Sequence, residues 1–436
     1  MHRTRLPATL LAAALIAMGL LVAASRPVAA AATVLYVDQS NASCSDSGAG
    51  TQTAPFCTIG QGAAVATAGQ TVQVASGTYN ELVTVAHSGT SGAPIVLTAA
   101  PGASVIVSGK ADAFKIASKS YVTVRNFTVT GTSSYGVLVA NSSNIVISGN
   151  HVSAAGQRVS GSTKYGIKFV GSTNALVSGN VSHDNSDAGI FLDATTNGVE
   201  VTGNTTYGNA RGYTRAAPGI DVRGHHNTVD RNVSHNNEDS GLQFYSGSHD
   251  NLVVDNLSYR NGDHGIDDLH STGQRILSNT VFGNVTAGVN LEGSSTGATV
   301  ENNISVDNGV NSPRTKSNIR VDATSTSGTT VNWNLVDLSV SGQVMYVWGA
   351  KSYATLSAFQ SASGQESHGR QANPSWVAAG SNFHLKAGSP AIDSANSGVS
   401  GETSTDLEGK ARRDDSATAN TGTGPRTYDD RGAYEF

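Results

Sequence analysis

Val199-Glu-Val-Thr-Gly-Asn204, Val229-Asp-Arg-Asn232, Val253-Val-Asp-Asn256 and Ile276-Leu-Ser-Asn279 state one idea four times: apolar residues, a short polar step, and a closing asparagine. The motif runs down the chain through Leu176-Val-Ser-Gly-Asn180, Val146-Ile-Ser-Gly-Asn150 and Val122-Thr-Val-Arg-Asn126, and up to Val300-Glu-Asn302. Successive asparagines are 24, 30, 24, 28, 24, 23 and 23 residues apart. A second mark, glycine followed by Val, Ile or Leu, keeps the same beat at Gly136, Gly166, Gly189, Gly219, Gly241, Gly265 and Gly288. A unit this short, with strand-like segments and no helix, cannot bury its own apolar face, whereas stacked units can. The beat therefore predicts an all-β, right-handed parallel β-helix, a solenoid of roughly 23–30-residue rungs with neighbouring coils about 4.8 Å apart. Each asparagine is expected to sit inward at a turn, its amide bonded to the asparagine of the next coil. A β-propeller needs longer blades and a Trp or His signature, and a left-handed hexapeptide helix needs a strict six-residue beat; neither is present.

The rest of the chain fits around this stack. Residues 1–31 have a basic start (His2, Arg3, Arg5), an apolar run from Ala8 to Ala24 and small residues before Ala32, the pattern of a secretory signal peptide. No later stretch is apolar enough to span a bilayer. Residues 32–90 are expected to form an N-terminal cap and the first coils, with a short amphipathic helix over Thr58–Ala68 covering the open sheet edge. Residues 91–335 carry the repeats. Residues 336–436 supply the last coils and a C-terminal cap wrapping back along the stack; between Leu335 and Gly380 the beat fades. The two cysteines, Cys44 and Cys57, are close together in an exported chain and predict a disulfide. Charged residues make up only 14% and the net charge is −5, with no basic stripe, so neither nucleic acid nor a membrane is expected as a partner. A monomer is expected.

Past each rung glycine, apolar and variable residues alternate, which places the variable ones outward on one sheet. The first outward column reads Lys168, Phe191, Asp221, Gln243, Asp267, Asn290 and Arg320; the second reads Val170, Asp193, Arg223, Tyr245, Leu269, Glu292 and Asp322. Asp221, Gln243, Tyr245, Asn290 and Glu292 are candidate substrate-binding residues, with Tyr207 and Tyr213 as further sugar-stacking platforms. The densest cluster is Glu238-Asp-Ser-Gly241 followed one rung later by Asp263-His-Gly-Ile-Asp-Asp268. Asp239 and Asp263 stand 24 residues apart and equally placed before their glycines, so they should stack directly. Carboxylates so close repel unless a cation lies between them, and Ca²⁺, which takes oxygen ligands, is the expected one, with Asp239, Asp263, Asp267 and Asp268 as candidate ligands. Strict alternation would bury Asp268, so either the strand bulges there or Asp268 is a ligand.

The paired D-x-G turns, the second continuing as Asp263-His264-Gly-Ile-Asp267, resemble the calcium site of the family 9 pectate lyases. In that family four aspartates hold the ion, one on the lower rung and three in a D-D-G-x-D run. Asp239, Asp263 and Asp267 match by position, and His264 stands where the second aspartate of the run would be. The resemblance implies calcium-assisted β-elimination on a uronic-acid glycan, an acidic polysaccharide, with a lysine on a higher rung as base. Asn290 occupies the matching position here and cannot act as that base. His264, His270, Arg275 and Arg223 are the candidate substitutes. Two other classes stay open: an inverting glycoside hydrolase using paired carboxylates, and a non-catalytic carbohydrate-binding or adhesion solenoid.

Overall fold

A computed structural model of the chain describes residues 34–156, 164–211 and 217–436. The leader expected over 1–31 and the stacking residue Tyr213 lie outside the described residues. Strands follow one another in threes, and every third strand pairs with the last of its kind, giving three long sheets along the stack. Pairing within the repeats is parallel and in register throughout, the expected right-handed β-helix of about 11 turns.

The alternation that predicted the sheets also builds the core. In the first sheet Val124, Ile147, Val177, Val201, Val229, Val253, Ile276, Val300 and Val331 lie one above another, all essentially without solvent exposure. β-Branched side chains suit this pleated, fully enclosed column, and each stabilises the coil by about 1.5–3 kcal/mol on burial. The rung glycines sit where no side chain fits. A Cβ on Gly241 would lie 2.0 Å from Ser258 Oγ, and one on Gly219 would lie 2.1 Å from Ser234 Oγ.

The asparagine ladder forms as expected over most of its length. In Asn180, Asn204, Asn232, Asn256 and Asn279 the backbone N–H and the side-chain Nδ2 both donate to Oδ1 of the asparagine above. Its two ends differ from the expectation. Asn126 turns outward with a positive φ of 65°, and Phe127 takes the inward place below Asn150. At the top Asn279 donates to Asn303, not Asn302, and the column continues through Asn334 to Glu366. A second ladder, unread in the sequence, runs through Asn185, Asn209, Asn237, Asn261, Asn284 and Asn308.

Both ends are closed. The short N-terminal helix spans Ile59–Val65, with Thr58 as its N-cap, and a disulfide joins Cys44 to Cys57 beside it. At the other end a helix over Leu356–Ser363 stacks Phe359 on Tyr346, ring centroids 4.2 Å apart. Past it the tail returns along the solenoid. The fully buried Arg412 bonds Asp255 at 2.6 Å and Glu435 at 3.2 Å, and Ala433 N–H bonds the Thr280 hydroxyl at 3.0 Å. Among the described residues no helix is long and apolar enough to cross a membrane.

Candidate functional site

The middle residue of each second-sheet strand points away from the core, because its neighbours on either side are the inward Ile, Leu, Val or Phe. Lys168, Phe191, Asp221, Gln243, Asp267, Asn290 and Arg320 therefore stand in one column, in register, as the alternation predicted. Asp268 is in register with Phe244 below and Leu291 above, so it faces the interior on the opposite side of the strand from Asp267. The strand does not bulge. Asp268 is fully buried; Oδ1 accepts from the Ser271 hydroxyl and Oδ2 has no partner. Burial first, and then the charge of Asp267, holds its carboxyl well above the usual range. Its orientation removes Asp268 from the set of candidate metal ligands.

Asp239 and Asp263 occupy the turn that leads into this sheet, on adjacent coils, and the Asp263 N–H donates to the Asp239 carbonyl at 3.2 Å. Asp239 feels the charges of both Asp263 and Asp267, and Asp267 that of Asp263. Asp263 accepts from the Thr286 hydroxyl and from Arg314 Nη2 at 2.9 Å. Asp267 accepts from Asn290 Nδ2 at 2.7 Å and Gln243 Nε2 at 3.3 Å. Arg320 closes the cluster, bonding both Asn290 Oδ1 and Glu292 at 2.6 Å. Among the described residues Asp239 has no comparable cation. Burial, then the Asp263 and Asp267 charges, push its carboxyl up to about 7. Burial also raises Asp267, opposed by His264 and by the hydrogen bond from Asn290.

His264 lies inside this group, only 4% exposed. Its Nε2 pairs with the Thr315 hydroxyl at 2.9 Å, and its Nδ1 stands 3.4 Å from Asp263 Oδ1 and 3.6 Å from Asp267 Oδ1 with no hydrogen-bond partner. The other three candidate bases are elsewhere. His270 is exposed beyond the far end of the strand Ile266–Leu269. Arg275 belongs to the first sheet and reaches the tail at Ser400, 3.4 Å away, so it does not share a face with the carboxylates. Arg223 is on the right sheet, but its Nη2 is bonded to Asp221 at 2.9 Å; burial lowers its pKa, yet the charge and hydrogen bond of Asp221, with its other anionic neighbours, outweigh burial and raise it, which unsuits it as a base.

Lower on the same sheet the side chains change character. The Arg223 guanidinium lies between the Phe191 and Tyr245 rings, 5.1 and 5.2 Å from their centroids. Lys168 Nζ lies 4.6 Å from the Tyr135 centroid and 5.1 Å from that of Tyr165, which itself stacks on Phe191 at 4.2 Å. Tyr207 is not part of this surface; it stacks between His183 and His235 on the third sheet. Sequence reasoning missed Tyr135, Tyr165, Arg314 and Thr315. The tyrosines carried a signal, since each directly precedes a rung glycine, the place His264 takes higher up. Arg314 and Thr315 come from an insertion between Asn308 and Asn318, and nothing local marks where that insertion lands.

Asp239, Asp263 and Asp267 offer the oxygen donors that a hard cation such as Ca²⁺ takes, but they do not each bring an oxygen within 4.8 Å of the other two, so binding one ion would draw the three side chains together. The imidazole of His264 contributes no oxygen, so three residues rather than four offer suitable ligands.

Residues 35–194 match a family described as Pel9A-like, right handed beta helix region, and residues 153–286 match one described as periplasmic copper-binding protein (NosD). The crystal structure of pectate lyase Pel9A superposes with a TM-score of 0.59 at 18% identity, covering 92% of this chain and 96% of that one. A mannuronic acid specific polysaccharide family 6 lyase enzyme from human gut microbiota gives a TM-score of 0.51 at 16% identity, over 67% of this chain and 74% of that one. An uncharacterized protein of Bacillus subtilis (strain 168), YwoF, is 32% identical over 134 residues, and the match spans 27% of this chain and 28% of that relative. The resemblance to the Pel9A-like β-helix holds, and at these identities the two structural likenesses establish the fold.

Proposed function

We propose that this chain is an exported enzyme that removes the proton beside the carboxylate of a uronic-acid polysaccharide, in a calcium-assisted β-elimination. The observation that carries the reading is the crowding of Asp239, Asp263 and Asp267, near enough that Asp239 feels the charges of the other two, on a sheet whose lower coils present cations on aromatic faces. Such a strip suits an acidic sugar chain: rings stack on Tyr and Phe, and Arg and Lys meet carboxylates. The likeness to two lyase structures and the Cys44–Cys57 disulfide, a bond at home outside the cytosol, support the reading.

Asp239, Asp263 and Asp267 would hold Ca²⁺, which when bound supplies a positive charge that acidifies the C5 proton of the uronate. The base would be His264: Thr315 fixes its ring through Nε2, and Nδ1 is the unpartnered nitrogen within the cluster. Arg320, held by Asn290 and Glu292, would anchor a substrate carboxylate, and Arg223, Tyr245 and Lys168 would hold the sugars further along.

A second reading has its own observation. A carboxyl pushed up to about 7, as on Asp239, beside other carboxylates is also the acid of an inverting glycoside hydrolase. One assay separates the two. The protein is incubated with polygalacturonate, alginate and neutral glycans, with and without a chelator. The elimination gives new ultraviolet absorbance from an unsaturated uronide, lost with chelator. Reducing ends without that absorbance would replace lyase by hydrolase, and neither product would leave a binding solenoid.

A further inference from the structure

The turn that carries the chain from the second sheet to the first is repeated in register, with Asn197, His225, His249, Thr272 and Thr296 bridged one above another. Only two adjacent coils put imidazoles there. His225 and His249 lie parallel, centroids 4.5 Å apart and planes 7° apart. His226, the next residue, has a left-handed φ of 53°, which swings its ring edge-on to both: 5.1 Å from His225 and 5.4 Å from His249, at 84° in each case. His225 Nδ1 and His226 Nδ1 are 2.8 Å apart, and one nitrogen from each of the three rings falls within 4.8 Å of the others. Asp250, one coil above His226 in the same left-handed turn, accepts from His249 Nδ1 at 2.9 Å and lies 3.8 Å from His226 Nε2.

We infer that His225, His226 and His249 form a binding site for one borderline divalent transition-metal ion, represented by Zn²⁺. Three imidazole nitrogens suit Zn²⁺, Cu²⁺ or Ni²⁺ and not the oxygen-seeking Ca²⁺. Zn–N bonds of about 2.0–2.1 Å need donors about 3.4 Å apart in a tetrahedron, which a small rotation of these partly exposed rings supplies. Asp250 flanks the group, its carboxylate accepting from His249 Nδ1 and lying 3.8 Å from His226 Nε2, the part that carboxylates play beside metal-bound histidines. The site is separate from the carboxylate cluster, because Asp239 precedes the strand Leu242–Phe244 and His249 follows it. A metal there ties two neighbouring coils together at the downstream rim of the sheet that carries Arg223 and Tyr245.

The test uses tag-free protein, stripped with a chelator and dialysed into buffer with excess Ca²⁺ so that oxygen sites are filled. Calorimetric titration with Zn²⁺ should give one equivalent bound with micromolar or tighter affinity. His249→Ala, and separately the exposed His226→Gln, should each weaken binding by about 100-fold or more. His183→Ala, on the third sheet, should change nothing. With Cu²⁺ in place of Zn²⁺, electron paramagnetic resonance should show several coordinated nitrogens, fewer in each site variant. Absence of saturable binding, or binding untouched by both site variants, would overturn the assignment.

Discussion

The asparagine column inside the turn and the carboxylate cluster outside the sheet are made by the same operation: like residues on consecutive coils, brought one strand spacing apart. Their consequences are opposite. An amide carries both a donor and an acceptor, so a stack of asparagines satisfies itself, with Asn204, Asn232 and Asn256 each passing Nδ2 to the next Oδ1 at 3.0 Å or less. A carboxylate carries acceptors only, so stacking Asp239 on Asp263 beside Asp267 accumulates charge, and burial together with those charges pushes Asp239 up to about 7. A self-complementary stack is the product of folding, whereas a self-repelling one has a cost in the fold and points to a role outside it.

The widest separation between the two regions is expected from single substitutions read for both activity and stability. Asp263→Ala should lower turnover about 1000-fold, in the range of losing a metal or charge-stabilising group, while the unfolding midpoint holds or rises as Asp239 is relieved. If the variant instead unfolds easily, the cluster is structural and the contrast fails. Asn256→Ala should do the reverse. It leaves the backbone N–H and Nδ2 of Asn232 without their shared acceptor, at about 1–3 kcal/mol each, so a loss of about 4 kcal/mol is expected in denaturant titration. Activity per folded molecule should be unchanged.

A finer test sits where the two regimes meet. Glu366 closes the ladder, accepting from Asn334 Nδ2 at 2.9 Å and from the Tyr346 hydroxyl at 3.1 Å, and burial pushes its carboxyl up to about 7 against the hydrogen bonds from Asn334. Its folded pKa is raised above the unfolded value of about 4.3. Its stability contribution is therefore intact below about pH 4.3 and is lost as pH climbs to about 7, by at most about 4 kcal/mol. Glu366→Gln keeps an acceptor for Asn334 and removes the charge, so thermal midpoints measured between these pH values should lose that slope. An unchanged slope would assign it to other groups. The smallest effect concerns the lower groove: Tyr245→Ala removes one ring from Arg223 and should raise KM several-fold, about 1 kcal/mol, at constant kcat. A fall in kcat of equal size would place Tyr245 nearer the reaction than the groove reading allows.

Much of this was legible along the chain. The columns of the second sheet follow from alternation alone, and Asp267, Asn290 and Arg320 stand together as read. The same alternation predicted burial of Asp268, and burial is what the structure has; treating it as a ligand set the charge of the cluster above the parity of the strand. Asn302 and Asn303 are adjacent and equivalent in a motif, and only the pairing of whole coils selects Asn303 for the ladder. Asn302 is left outside, where its Nδ2 bonds the Asn396 carbonyl of the returning tail at 2.9 Å. The fading beat between Leu335 and Gly380 has a physical cause as well. There the ladder ends on Glu366 rather than asparagine, and the last strand of the second sheet turns back antiparallel before the closing helix.

The sequence by itself determined the coil pitch, the inward or outward side of each strand residue, and the coils on which the carboxylates gather. Those properties are local: side chains alternate with a period of two, and the repeat length sets which residues stack. Only the tertiary structure decided what completes the cluster. Arg314 and Thr315 reach Asp263 and His264 from an insertion about two coils further along the chain, while Arg275, close in sequence, is carried round to another sheet. Proximity between outward groups depends on where loops of irregular length come to rest, and no repeating pattern encodes that.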